Sequence, residues 1–147
     1  MDLAVGNSYK KESYDSLHSM AFLEVDPHNQ ESINNSLWEG KLPISLPPMT
    51  RLLLHTEEIV EVPKDCFGFV ELRSTWARLG FIAPATVADP GFKGQLTLEI
   101  FNASRTYILI RPGDKIWSLA LVKAVNEPIY EGRYQGQTGV TGAKALK

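Results

Sequence analysis

The 147 residues are close to the commonest size of one domain, and a hydrophobic content of 44% suits a globular chain, not a disordered one. Lys plus Arg number 15 and Asp plus Glu 17, a net charge of −2 that excludes the broad basic surface of a general nucleic-acid binder. A local basic pocket remains open. The single cysteine, Cys66, forbids an intramolecular disulfide and fits a reducing cytoplasm. With only His18, His28 and His55 beside it, and no ligand-like spacing, no zinc site of the usual kind is expected. Cys66 itself reads as a small packed residue and not a nucleophile. No stretch approaches the roughly 20 apolar residues of a membrane span. The start, MDLAVGNSYKKESYD, lacks the basic-then-apolar order of an export signal. A soluble chain with no membrane partner is expected.

Short apolar runs cut by Gly, Pro, Asn and Asp read as strands and turns. In chain order, strands are expected over residues 20–25, 51–56, 67–72, 95–102, 107–111 and 115–123. Residues 31–38 suggest a short helical turn before Gly40. Residues 74–80 predict about two helical turns, with Ser74 as N-cap and Gly80 as the stop. Along 95–102 the pattern alternates, Leu96, Leu98 and Ile100 facing one way and Thr97, Glu99 and Phe101 the other. Pro112-Gly113-Asp114 joins the last two strands through a tight turn. Two stretches look mobile: residues 9–19, and a tail over about 131–147 with four glycines and little apolar content. The whole reads as one domain, 1–147, an all-β barrel or jelly roll with one short helix.

Residues 73–102, RSTWARLGFIAPATVADPGFKGQLTLEIFN, carry the polar chemistry. Arg73 and Arg78 offer guanidinium forks suited to phosphate, and Ser74 a hydroxyl beside the free N–H groups of a helix start. Asp89 precedes a Pro-Gly turn, and Glu99 lies ten residues later on the less apolar face of a strand. Each has an ordinary structural reading when taken singly. A strand Glu is usually solvent-facing, Asp-Pro-Gly is a turn in its own right, and Ser74 with Arg78 can be a cap and a surface charge. Trp38, Trp76 and Trp117 read as core or subunit interface more readily than as base-stacking platforms.

Taken together and in order, these blocks resemble the dCTP deaminases, including the bifunctional forms that carry dUTP on to dUMP, within the trimeric dUTPase-like superfamily. Asp2-Leu3-Ala4-Val5-Gly6-Asn7 is similar to the family's DLRLGN segment, and Thr56 to Val62 with Pro63 to its T-x-E-x-V-x-x-P stretch. Arg73-Ser74-Thr75-x-Ala77-Arg78-Leu79-Gly80 resembles RSSLARLG. Asp89-Pro90-Gly91-Phe92-x-Gly94 with Thr97-Leu98-Glu99 resembles DPGFxG…TLE. Arg111-Pro112-Gly113 with Ile116 resembles RPGxxI, and Tyr134-Gln135-Gly136-Gln137-x-Gly139 the YQGQxG tail.

The resemblance implies a homotrimeric, dUTPase-like distorted barrel or jelly roll whose active sites are shared between subunits. The implied enzyme is a hydrolase converting dCTP to dUTP and ammonia in pyrimidine deoxynucleotide (dUMP/dTTP) biosynthesis, without zinc, and in bifunctional forms cleaving dUTP to dUMP and pyrophosphate. Glu99 takes the place of the family's proton-shuttling glutamate. Ser74 and Arg78 match residues that hold the water and the pyrimidine edge from a neighbouring subunit. Ala85 matches a backbone contact to the substrate's amino group. Asp89 matches the aspartate that binds the sugar 3′-hydroxyl and, in the hydrolases, orients the attacking water. Arg73, Arg133, Tyr134 and Gln137 match triphosphate contacts, the last three on a closing tail. Magnesium is implied on the phosphates of the substrate, with no metal ligand from the protein.

Four departures accompany the match. The chain starts almost at the DL segment, where the family has a preceding helix and strand. Leu72 replaces a Gly before the RSS block, Thr86 stands where related chains have Gly or His, and Val87 stands where monofunctional deaminases have Arg. The missing Arg leans toward bifunctional or dUTPase-like behaviour, and a bulkier Thr86 crowds the base pocket. The rival readings are a dUTPase without deaminase activity, against which Glu99 speaks, and a catalytically silent nucleotide-binding trimer.

Overall fold

The computed structural model describes residues 1–12, 24–125 and 128–147 of one chain. Its regular structure is mostly strand, in keeping with the frequent turn residues and the β-branched and aromatic runs. The main sheet follows the order β7 (Phe81–Ile82), β10 (Thr97–Asn102), β4 (Arg51–Thr56), β1 (Asp2–Glu12), β12 (Lys115–Lys123), β6 (Cys66–Leu72) and β8 (Thr86–Ala88). A further strand, β2 (Leu37–Lys41), pairs with β1 off this path. Two small antiparallel pairs complete the sheets: β3 (Ile44–Leu46) with β11 (Ile108–Ile110), and β5 (Val60–Glu61) with β9 (Lys93–Gly94).

The terminal strands of the main path, β7 and β8, are consecutive in the chain and separated only by residues 83–85. Four peptide units reach at most about 14 Å. The two edges must therefore lie close, and the antiparallel sheet curls toward a barrel. Leu3, Val5, Leu52, Leu54, Leu98, Ile100, Ile116 and Trp117 fill its interior. Strand β4, flanked by β10 and β1, is buried from Leu52 to Thr56, which explains its unbroken apolar run.

Strand β1 changes partners along its length. Asp2 to Ala4 pair with β12, and after the register shifts Tyr9 to Lys11 pair with β4 while Ser8 to Glu12 pair with β2. The Thr56-to-Glu58 block holds this junction: Glu58 accepts the Ala4 N–H, Glu57 N–H donates to Ala4 O, and Leu96 N–H donates to Thr56 Oγ1.

Strands at 51–56 and 115–123 fall on β4 and β12 to the residue, and those at 67–72, 95–102 and 107–111 fall on β6, β10 and β11 with shifted ends. Of the expected strand at 20–25, residues 20–23 lie outside the described residues, and Glu24 and Val25 are not in a strand. Of the stretch at 9–19, residues 9–12 are not loose but form the end of β1, laddered on both sides, while 13–19 lie outside the described residues. Among the described residues two short helices occur, at the stretches expected to be helical around 31–38 and 74–80, against the single helix of the overall reading. α1 (Gln30–Asn35) is capped by Asn29 Oδ1, which accepts from Glu31 N–H and Ser32 N–H. It stops before Trp38, because residues 37–41 are recruited by β1.

α2 (Ser74–Leu79) corrects the capping expectation. Its N-cap is Arg73, and Ser74 is the first helical residue. The Arg73 carbonyl already accepts from Trp76 and Ala77 N–H, so the helix begins one residue earlier than the hydroxyl suggested. Gly80 ends it at φ 103°, and a Cβ there would meet Ser104 Cβ at 2.6 Å. Only glycine suits that corner.

Candidate active site

Glu99 stands in the middle of β10, between the buried Leu98 and Ile100, on a half-buried face shared with Thr97 and Phe101. β4 flanks the strand along Thr97 to Phe101, and β7 covers its other side at Phe101 and Asn102. Its far end is pinned by Asn102, which is fully buried. The Asn102 amide donates to the carbonyls of Leu46, Pro47 and Thr106, and its Oδ1 accepts from the Ser104 N–H and hydroxyl. A carboxylate on so fixed a strand has little freedom to relax away from a reacting group. Its oxygens take no hydrogen bond or ion pair among the described residues.

Asp89 leads a tight turn in which Phe92 N–H returns to the Asp89 carbonyl at 3.0 Å. The C-terminal segment passes over the next residues. Tyr130 N–H donates to Pro90 O, Gln135 Nε2 donates to Gly91 O, and the Tyr130 and Phe92 rings meet edge to face with centroids 5.9 Å apart. From there the segment follows β9 and the start of β10. It has no helix or strand of its own, yet it is hydrogen-bonded to the body at several points, and Val140 is buried. Arg133 Nη1 donates to the carbonyls of Lys144 and Ala145, and its guanidinium lies 6.0 Å from the Tyr134 ring centroid. Gln137 Oε1 is buried with no donor among the described residues. Asp89, Arg133, Tyr134 and Gln137 thus lie on the turn and the segment that covers it.

Ser74 and Arg78 are placed differently. Both side chains are exposed on α2, and no hydrogen bond or ion pair links them to Glu99, Asp89 or the tail. Arg73 makes a partly exposed ion pair with Asp2 at 3.2 Å, and its Nη1 also donates to Lys115 O at 3.4 Å. Trp76 holds the helix to the same carbonyl through its Nε1–H at 2.8 Å and stacks on Phe81 with centroids 5.5 Å apart. Of the other tryptophans, Trp117 is core, while Trp38 is exposed and touches Tyr9 edge-on. Ala85 is exposed in the linker that joins the two sheet edges.

Two open surface hollows measure about 370 and 540 Å³, and of the expected residues only Arg133 lines either. Glu99 lines neither of them. The Cys66 thiol is half-buried, and burial together with the adjacent Asp65 carboxylate raises its pKa, so it carries little thiolate.

Residues 1–124 match the family model described as dCTP deaminase-like. The chain belongs to that family. Across its full length it is 40% identical to the dCTP deaminase of Caldivirga maquilingensis, covering 80% of that protein. Among solved structures it superposes on the 2′-deoxycytidine 5′-triphosphate deaminase of Agrobacterium tumefaciens with a TM-score of 0.60 at 20% identity. That alignment covers 82% of this chain and 36% of the other, about a third of its length. The native dUTPase of EIAV aligns with a TM-score of 0.51 at 21% identity, over 89% of this chain and 98% of that one. The fold is thus dUTPase-like, a curled antiparallel sheet with two short helices among the described residues.

Sequence reasoning overlooked the anchoring residues: Asn102, Gln95, Thr97 and the Trp76 Nε1–H. Of these, only the polar Asn102 at the end of an apolar strand carries a signal, since a buried amide must find partners.

Proposed function

We propose that this protein deaminates dCTP to dUTP and ammonia, using Glu99 as the acid–base group. The observation that carries the reading is the position of Glu99: half-buried, on a strand laddered by β4, and without a partner among the described residues, in a chain 40% identical over its whole length to a dCTP deaminase. Glu99 takes a proton as water adds to the amino-bearing ring carbon, then delivers it to the nitrogen that leaves. Ser74 and Arg78, exposed and unengaged on α2, reach the Glu99 of a second copy in a closed trimer and hold the water and the base edge. The Ala85 backbone meets the amino group. Asp89 takes the sugar hydroxyl, and Arg73, Arg133, Tyr134 and Gln137 take the triphosphate. For Arg73 this requires exchanging its Asp2 partner for phosphate.

Magnesium enters as part of the substrate, on its phosphate oxygens. Among the described residues no three His, Cys, Asp or Glu side chains cluster as a cage, and none is needed when the nucleotide carries the ion. No described helix is long and apolar enough to cross a membrane. Its single cysteine supports a reducing cytoplasm as the compartment.

Val87, exposed on β8 where monofunctional enzymes have Arg, favours a second activity, cleavage of dUTP to dUMP and pyrophosphate with Asp89 orienting the water. Incubation with dCTP or dUTP and magnesium, with ammonia and pyrophosphate both measured, tests the two together. Ammonia from dCTP is the expected result. Pyrophosphate from dUTP without ammonia from dCTP would replace the deaminase reading by a dUTPase, and neither product would leave a silent binding protein.

A further inference from the structure

Gln95 sits in the two-residue gap between β9 and β10 and uses its backbone N–H and both ends of its side-chain amide on other segments. Its backbone N–H donates to Gln137 O at 2.8 Å, its Oε1 accepts the Gly139 N–H at 2.6 Å, and its Nε2 donates to Glu57 O at 3.1 Å. On either side the same path continues. Gly136 N–H donates to Lys93 O at 2.8 Å, and Thr97 Oγ1 accepts the Thr141 N–H at 2.9 Å. Residues 136–141 therefore run alongside 93–97 in the same direction. Beyond the Gln95 N–H, the ladder is carried by side-chain acceptors, Gln95 Oε1 and Thr97 Oγ1, which take the segment's N–H groups at Gly139 and Thr141. Gly94 makes the close approach feasible, because a Cβ there would lie 2.8 Å from Gln137 O.

We infer that Gln95 is a positioning residue that seats the C-terminal segment on the strand of Glu99. One end of its amide is anchored on the body at Glu57 and the other grips the segment at Gly139. The grip fixes the turn that holds Tyr134 and Gln137, in which Gln137 N–H returns to Tyr134 O at 3.2 Å. Thr97 repeats it two residues before Glu99, on the same face. Seating the segment and completing the surroundings of Glu99 are then one event. Gln95 itself touches no reacting atom. Its effect on turnover rests on the deaminase reading above, whereas the seating does not.

The test is trypsin cleavage of the full chain after Arg133, followed by mass spectrometry, together with dCTP kinetics. Gln95→Leu keeps the size and removes both side-chain bonds. It is expected to speed cleavage about tenfold, as two lost hydrogen bonds should, with the thermal midpoint kept. For dCTP, KM should rise and kcat fall. Gln95→Glu, which retains the acceptor for Gly139, should recover part of the protection. Should Gln95→Leu fail to fold, Thr97→Val is read by the same cleavage assay and should expose Arg133 in the same way. Wild-type cleavage in the folded variants overturns the inference, as does lost turnover with cleavage unchanged. A protein inactive on dCTP that still shows the cleavage contrast would sink the deaminase reading and uphold the seat.

Discussion

Strand β10 and helix α2 hold the two halves of the expected chemistry and are built on opposite plans. β10 is laddered by β4 and β7, buries alternate residues, and ends at an asparagine whose amide is fully engaged. α2 is six residues long with none of them buried, and it is fastened at its N-terminal edge by Arg73 and Trp76. The strand presents one carboxylate with little room to move. The helix offers a hydroxyl and a guanidinium outward, and no polar contact joins them to that carboxylate within the chain. On the proposed reading, one chain carries the acid–base group on β10 and a half-site on α2 with no polar contact between them, as a site shared between subunits requires.

The sharpest way to break this comparison is Glu99→Gln. The amide keeps the size and most hydrogen bonding but cannot carry a proton, so ammonia release from dCTP should fall by roughly a hundredfold or more. dCTP binding, measured by calorimetry, and the thermal midpoint should be retained, because Glu99 takes no hydrogen bond or ion pair among the described residues. Normal ammonia release from this variant would end the deaminase assignment.

Arg78→Ala tests the other half and should cost about ten- to a hundredfold, the worth of a charged hydrogen bond to substrate. The comparison is sharpened by mixing. If Glu99 of one copy works with Arg78 of the next, equal amounts of the two inactive variants, unfolded and refolded together, should recover about a quarter of wild-type turnover in random trimers. If both residues serve the same chain's site, the mixture stays inactive.

How legible each half was follows from where its determinants lie. β4 and β12 can be read to the residue because apolar runs bounded by polar turns are local signals. The outward face of β10 is equally plain, since the period of two places Thr97, Glu99 and Phe101 together. The two-residue strands β5, β7 and β9 have no pattern long enough to show. The partner changes of β1 depend on strands that are distant in sequence. Ser74 looks like a cap, but the Arg73 carbonyl starts the helix and composition cannot reveal that. The blocks around Ser74 and Glu99 were recognisable as a family's, although nothing in the sequence shows that one chain keeps the two without polar contact. The tail's glycines suggested mobility. Its docking rests in part on Gln95 and Thr97 side chains, whose partners Gly139 and Thr141 lie 44 residues away in sequence.

The smallest expected effect concerns how α2 is held. Trp76 stands where the resembling motif has Leu, and it adds two things that Leu lacks: a donor to Lys115 O and an aromatic face on Phe81. Trp76→Phe keeps the stack and removes the donor, at a cost of about 1 kcal/mol. Trp76→Leu also loses the stack, worth about 0.5–1.5 kcal/mol more. Thermal melts should therefore step down by a few degrees from wild type to Phe and again to Leu. Because α2 carries Ser74 and Arg78 while β10 carries Glu99, the same series should lower kcat in small steps and leave the ladder of β10 intact by hydrogen exchange. Equal melting of all three proteins would show that Trp76 merely fills space. The helix would then owe its position to Arg73 and Gly80 alone.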